Sequence, residues 1–325
     1  MNSLAPAPRL GQAAYQFTRA ITGVAVALFF ASCSRRMSET HWTMIDVAPK
    51  QAQADCHLIE FPNGQKVLID IADAVDAGGT ALAYFRSHHI AKIDLVVISH
   101  FHKDHYGRLR DLIESGIEVD RVAGNMPAPN NAMAAAELPW GFDRNDAESL
   151  VEFLHEKNIP YFTPTIGQRL IEVPLREGGV AALDVVCLYD GVHTPIGYTS
   201  VNDTSMIVRL SHGPTRVLFT GDLTGRMGQW LAGSKFDFSA DILKVPHHGA
   251  DWNNSYAFFE RVHPKVALAP SPRALWFSLR CKMVRTYLTE NHIPTYVSGI
   301  NGDVTVILTT HGYTIRTQYP SIPNQ

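Results

Sequence analysis

No stretch constrains this chain more than Val96-Val97-Ile98-Ser99-His100-Phe101-His102-Lys103-Asp104-His105-Tyr106-Gly107. The apolar, β-branched run that begins at Leu95 reads as a buried strand. It feeds directly into three histidines and one aspartate within positions 100–105. That is a poor way to build a core, but imidazoles and carboxylates are the ligands that zinc, manganese and iron accept. A strand end is rigid enough to aim them. His100 and His102, two apart in an extended segment, project to one side. The turn that follows brings Asp104 and His105 back beside them, and Gly107 lets the backbone leave the cluster. The competing reading is a polar surface loop rich in histidine, but HxHxDH at the end of an apolar strand is far more specific than a lone histidine.

Two further anchors have the same placement. Asp222 follows the apolar run Val217-Leu218-Phe219 through Thr220-Gly221. A carboxylate in that position either bridges two cations through its two oxygens or caps the turn before Leu223. His247-His248-Gly249 closes a strand expected at 241–245. Adjacent histidines at a strand end point apart, so one of the pair is expected to bind metal. The other is left as a proton donor or substrate contact.

The remainder alternates strands with helices. Strands are expected at 43–47, 56–61, 65–71, 93–99, 121–123, 168–173, 183–188, 205–210, 217–219, 241–245, 266–269, 295–297, 304–308 and 313–317. Helices are expected at 81–85, 106–115, 143–158, 226–231, 256–262 and 282–291, with Asp143 as an amino-terminal cap. Asn63-Gly64 has the chemistry of a two-residue hairpin turn, and 126–140 reads as a surface excursion. Two runs of mostly antiparallel strands with helices outside them imply an α/β (α+β) chain, two sheets face to face and helices on both sides.

Composition bounds the partners. With 325 residues, 46% hydrophobic and a net charge of −3, the chain has an ordinary globular balance and no overall electrostatic pull toward polyanions. Local charge differs: Arg35, Arg36, Arg273, Arg280, Lys282 and Arg285, with Trp276 and Phe277 among them, suit phosphate contacts and base stacking or a solvated helix face. Arg9 and Arg19 precede the apolar run 21–30 and the small residues Ala31-Ser32. This reads as a secretory signal over 1–33, too short to span a bilayer comfortably. Ala31-Ser32 before Cys33 resembles the lipobox of bacterial lipoproteins, making Cys33 a lipidation candidate and the periplasm or cell envelope the expected location. The alternative is a cytoplasmic protein with an amino-terminal extension. A linker at 34–40, one domain at 41–320 and a tail at 321–325 complete the division. Cys56, Cys187 and Cys281 are too scattered for a disulfide framework, and Cys56 and Cys187 are expected as buried thiols.

Met44-Ile45-Asp46-Val47, the run from Phe61 to Asp70, HxHxDH, Asn202-Asp203-Thr204-Ser205, Leu218-Phe219-Thr220-Gly221-Asp222 and Leu243-Lys244-Val245-Pro246-His247-His248-Gly249 occur in that order. Together they resemble the metallo-β-lactamase superfamily over about 41–317, and are most similar to the hydrolase domain of ComEC-type competence proteins. The resemblance implies a four-layer αββα sandwich with its ligand loops at one edge. It also implies one or two divalent ions, zinc or manganese. His100 and His102 would hold the first, Asp104 and His105 the second, and Asp222 both. Asp104 would also orient the nucleophile, and the His247-His248 pair would lie at the active-site edge; the resemblance does not say which ring does which job, and His247 is taken as the metal ligand with His248 as a catalytic, metal or substrate contact. Two departures stand out. Many members carry a metal-binding histidine where this chain has Asn202 and Asp203, which would offer oxygen instead and shift preference toward manganese or magnesium. The ComEC-like branch has a histidine near Trp276-Phe277-Ser278-Leu279-Arg280, and this chain has none.

The expected function is a metal-dependent hydrolase of phosphodiesters, nucleic acid included, with a membrane reached only through the lipid anchor. The alternatives are a lactamase- or lactonase-type hydrolase and a binding protein on a degenerate metallohydrolase scaffold.

Overall fold

The computed structural model describes residues 38–47, 53–72, 78–136, 141–250 and 255–320. The expected signal with Cys33, the Arg35-Arg36 pair and the tail at 321–325 lie outside them.

Among the described residues, one large sheet runs, in spatial order, Gly312–Thr317, Val304–Thr309, Thr40–Met44, Cys56–Glu60, Lys66–Ile71, Leu95–Ile98, Val122–Gly124 and Tyr161–Phe162. The other runs Thr295–Val297, Val266–Ala269, Ile242–Lys244, Thr215–Phe219, Ile207–His212, Val180–Cys187 and Arg169–Pro174. Period-two alternation explains how they stack. Leu95 and Val97 join Trp42, Val67 and Phe219 in the core between the sheets, whereas Val96 and Ile98 turn to a second core under the helices. Leu218 and Leu243 likewise leave their neighbours Val217 and Ile242 to enter a third core beneath the helices of the other side. Three cores separate four layers, which is the αββα sandwich. It also explains why these strands read as unbroken apolar runs: they are buried on both faces.

Among the described residues antiparallel pairings hold only a bare majority, seven of the thirteen in the two large sheets. Each sheet is antiparallel in one half, but Lys66–Ile71, Leu95–Ile98, Val122–Gly124 and Tyr161–Phe162 are successive parallel neighbours. So are Thr215–Phe219, Ile242–Lys244, Val266–Ala269 and Thr295–Val297. Parallel neighbours need a crossover, and the intervening helices supply it. The consequence for the site is direct: loops leaving adjacent parallel strands emerge at the same edge.

Several boundaries differ from expectation for local reasons. The strand expected at 93–99 is divided, because the Asp94 carboxylate accepts the Lys66 amide at 2.7 Å and the Asp94 amide donates back to the Lys66 carbonyl at 2.9 Å. Lys92–Ile93 instead pairs with Glu118–Val119. The first strand begins at Thr40, its polar start hidden by pairing on both sides. The loop after Cys56–Glu60 closes through Phe61 and Gln65, leaving three residues rather than two at its tip. The expected excursion carries a short helix, Ala132–Ala136. Cys56, Cys187 and Cys281 are buried free thiols. Among the described residues no helix is long and apolar enough to cross a membrane.

The helix Arg144–Glu156 starts where its cap predicts: the Asp143 carboxylate accepts from the amides of Asn145 and Asp146 at 3.0 and 3.3 Å. Asp143→Ala is expected to lower stability by about 1 kcal/mol. An unchanged urea midpoint would show that the cap contributes nothing.

Candidate metal centre

Four parallel-strand exits build the site. Lys66–Ile71 delivers Asp70, Leu95–Ile98 delivers Ser99 and the histidine run, Thr215–Phe219 delivers Asp222, and Ile242–Lys244 delivers Lys244, His247 and His248. Asp104 and His105 lie in the short helix Lys103–Tyr106 that turns the chain back. Glycine is needed at two of these turns. Gly221 has φ 50°, and a Cβ there would stand 2.5 Å from Ser205 Oγ; Gly249 has φ 90°, and its Cβ would meet the Trp276 ring at 2.8 Å. Between them His247 (φ 48°, ψ 46°) and His248 (φ 54°, ψ 14°) adopt left-handed backbone, a strained arrangement for non-glycine residues. The pair is therefore oriented by a tight turn and not by extended alternation.

Asp104, His105, Asp222 and His248 each present a ligand atom, all within 4.8 Å of one another. Asp222 Oδ2 lies 3.2 Å from His105 Nε2, 3.2 Å from His248 Nε2 and 3.7 Å from His247 Nε2. Asp104 reaches His248 Nε2 at 3.4 Å and His105 Nε2 at 3.8 Å. Among the described residues, His105 Nε2 and His248 Nε2 have no well-formed hydrogen bond, and what they face are the site's carboxylates; His100 Nε2 is likewise buried without a hydrogen bond. Burying imidazoles and carboxylates together is costly unless their charges are compensated. Two imidazole nitrogens and two carboxylates gathered this closely are a donor set that a cation could share.

The other nitrogen of each ring explains the aim. His248 Nδ1 lies 2.9 Å from the Pro270 carbonyl, which can only accept, so Nδ1 carries the hydrogen. His105 Nδ1 donates to Asp70 Oδ2 at 2.8 Å. His100 Nδ1 is 3.1 Å from Ser99 Oγ, which itself donates to Asp70 Oδ2 at 2.7 Å. Tying Nδ1–H in this way leaves Nε2 as the metal-binding lone pair. His100 and His102 stand beside the group, with ring centroids 4.8 Å apart and His100 4.1 Å from the His105 ring. Three oriented imidazoles and two carboxylates fit a borderline divalent cation.

Asn202 and Asp203 differ from each other. Both Asp203 oxygens are engaged by Thr224, from its amide and its hydroxyl, each at 3.0 Å. Asn202 Oδ1 is buried without a hydrogen bond. Ser205 Oγ accepts the Asp222 amide at 2.9 Å, so this segment braces the Gly221-Asp222 loop. Of the basic and aromatic set, Arg273, Arg280 and Lys282 are exposed, whereas Trp276 is buried. It is not a stacking platform; Phe277 is the exposed ring, with the Arg273 guanidinium 5.1 Å from its centroid.

Sequence reasoning assigned no role to Asp55, Asp70 or Lys244. Lys244 is 1% exposed and pairs with Asp55 Oδ2, while its Nζ lies 3.5 Å from Asp222 Oδ1. Asp55 Oδ1 is 3.2 Å from His248 Nδ1. A lysine inside the apolar run Ile242-Leu243-Lys244-Val245, and an aspartate ending a strand as His100 follows one, were available signals for two of the three. Asp55 carried none.

Burial dominates the electrostatics, and charge then decides direction. It would raise Asp222 and Asp55, but His248 and His105 hold Asp222, and Lys244 and His248 hold Asp55, well below the usual carboxylate range. Burial would lower Lys244, and Asp55 with Asp222 keep it charged. Burial pushes His247 down to about 4. It would also lower His105 and His248, but Asp222, with Asp70 and Asp55 respectively, raises both well above the histidine range. A cation must then displace those protons. Zinc loading near pH 7 is expected to release about two protons per site, with affinity rising with pH. Calorimetry in buffers of different ionisation enthalpy measures this, and release near zero would mean both rings start neutral.

Comparison with known proteins places these residues in a family. The Metallo-beta-lactamase superfamily model matches residues 50–270. The chain is 34% identical over 73 residues to YcaI of Escherichia coli strain K12, an uncharacterized protein; the match covers 22% of this chain and 10% of that one. It thus spans about a tenth of that relative's length. Among solved structures it is similar to a diphosphatase of the PhnP family at 13% identity and TM-score 0.41, over 83% of this chain and 98% of the other. A B3 metallo-β-lactamase with an active-site glutamic acid gives 15% and 0.40, over 74% and 86%. The metallo-β-lactamase MIM-1 of Novosphingobium pentaromativorans gives 16% and 0.39, over 74% and 85%. Since the matched segment takes in Asp55, the histidine run, Asp222 and the His247-His248 turn, the chain belongs to the metallo-β-lactamase superfamily.

Proposed function

We propose that this chain is a divalent-metal-dependent phosphodiester hydrolase of the ComEC-like branch. The observation that carries the metal-dependent reading is the convergence of one ligand atom each from Asp104, His105, Asp222 and His248 within 4.8 Å, with His105 and His248 Nε2 both 3.2 Å from Asp222 Oδ2. The Nδ1 atoms of the same two rings are tied to Asp70 and to the Pro270 carbonyl, which turns both Nε2 atoms toward the shared carboxylate as a metal ligand set requires. Preference for the ComEC-like branch comes from Asp203 and Ser205, which brace the Asp222 loop where other members place a ligand histidine.

His105, His248, Asp104 and Asp222 would hold the cation, with His100 and His102 beside them, and zinc or manganese suits the donors. A bound divalent ion supplies Lewis acidity and lowers the pKa of water toward neutrality. The protein's own groups do the placing. Asp104, 18% exposed, stands on the solvent side, where its carboxylate accepts a hydrogen bond from the attacking water. His247 is held neutral by burial, so it offers a phosphoryl oxygen a hydrogen bond and not a proton. His248, which could serve as donor or ligand from sequence alone, is assigned as a ligand because Pro270 fixes its tautomer. Export and lipidation at Cys33 are proposed from the sequence, and an intact, unmodified Met1 in native protein would remove them.

The test is elemental analysis together with hydrolysis of bis(p-nitrophenyl) phosphate in added zinc or manganese. Bound metal with turnover is expected. Bound metal with turnover only of an ester or lactam would move the assignment to the carboxyl-hydrolase reading, and absence of both would leave the binding scaffold.

A further inference from the structure

We propose that Lys244 is a positioning residue of the metal centre, its buried ammonium restricting Asp222 to one metal-facing oxygen. This rests on the reading of the site as a metal centre.

Burying a lysine in a strand between two cores is costly unless its charge is fully used. A methionine would fill the same volume at lower cost. Lys244 instead spends its ammonium on three oxygens. It pairs with Asp55 Oδ2, donates to the Gly221 carbonyl at 2.8 Å and lies 3.5 Å from Asp222 Oδ1. Its own carbonyl accepts from Thr220 Oγ1 at 2.9 Å. Both ends of the residue therefore grip the Thr220-Gly221-Asp222 loop.

The effect on Asp222 is asymmetric. Oδ1 faces the ammonium at 3.5 Å, an ion pair without a hydrogen bond, while Oδ2 faces His105, His248 and His247 at 3.2, 3.2 and 3.7 Å. A carboxylate so divided gives the centre one oxygen, whereas a free one chelates or bridges through two. Asp55 completes the device. It comes from the other sheet, neutralises the ammonium and touches His248 Nδ1 at 3.2 Å, linking Lys244 to a second ligand. Lys244 thus keeps the coordination number low, which favours tetrahedral over octahedral ions.

The experiment uses the full chain stripped of metal and titrated with Co2+, whose visible absorption is intense when four-coordinate and weak when six-coordinate. Wild type is compared with Lys244→Met, Asp55→Asn and the double variant Lys244→Met/Asp55→Asn. The double variant removes both charges together, so it leaves no unpaired buried ion if a single variant does not fold. Lys244→Met and the double variant are expected to lose visible intensity per bound Co2+ and to bind it about ten- to a hundredfold more weakly. Asp55→Asn is expected to keep the intense spectrum. Weaker binding with an unaltered spectrum in the double variant would mean that Lys244 is merely structural, and would overturn the proposal. Wild type that takes up no Co2+ would overturn the metal-centre reading itself, a result distinct from every outcome for the variants.

Discussion

Asp222→Asn is expected to remove most bound metal and to lower phosphodiester hydrolysis on the order of a thousandfold. The change is almost isosteric, so packing is preserved and the loss reports charge. Asp222 is 1% exposed, and its carboxylate faces His105, His248, His247 and Lys244 together. An amide supplies a neutral oxygen and places an NH2 group opposite the ammonium or opposite the imidazoles, each of which repels it. Elemental analysis and initial rates at saturating added metal separate the two losses. Full metal content with rates within about tenfold of wild type would show that Asp222 is not central to the site.

The second large effect is on stability as well as on the site. Asp70 is buried and accepts three hydrogen bonds: from the Ser99 amide at 2.7 Å, from Ser99 Oγ at 2.7 Å and from His105 Nδ1 at 2.8 Å. Asp70→Ala leaves all three donors buried without an acceptor, at an expected cost of about 3–5 kcal/mol. Metal affinity should fall about ten- to a hundredfold, because His105 loses the partner that fixes its tautomer. Asp70 also has φ 59°, a conformation that asparagine tolerates better than alanine. Asp70→Asn, which keeps an acceptor oxygen and the backbone preference, should therefore lose clearly less. Urea denaturation of the metal-free proteins measures the stability difference. Equal losses for the two variants would indicate that the carboxylate's hydrogen bonds do not carry the effect.

Much of the site was legible because strand ends are visible in sequence. An apolar run that stops at His100, Asp222 or His247 announces a polar group aimed out of a sheet edge, and the spacing within HxHxDH marks it as a ligand cluster. The division of labour between His247 and His248 was not legible. It depends on a left-handed turn and on the Pro270 carbonyl, neither of which leaves a mark at positions 247 and 248. Asn202 and Asp203 looked interchangeable as oxygen donors, yet both Asp203 oxygens are used by Thr224. Which neighbours pair in parallel was not legible either, for a related reason. Period-two patterning reports which face is buried and is the same for parallel and antiparallel neighbours.

What the sequence by itself determined is the inventory: sheets buried on both faces, helices between strands, and histidines and aspartates placed where strands end. Each is set by the local alternation of apolar and polar residues. Only the tertiary structure decided which ligand atoms converge and what holds them. The Lys244 to Asp55 pair joins the two sheets, and the Asp70 to His105 bond joins two parallel-strand exits. Such pairings depend on register, stacking and ring orientation, because charge and hydrogen-bond geometry are settled by neighbours in space and not by neighbours along the chain.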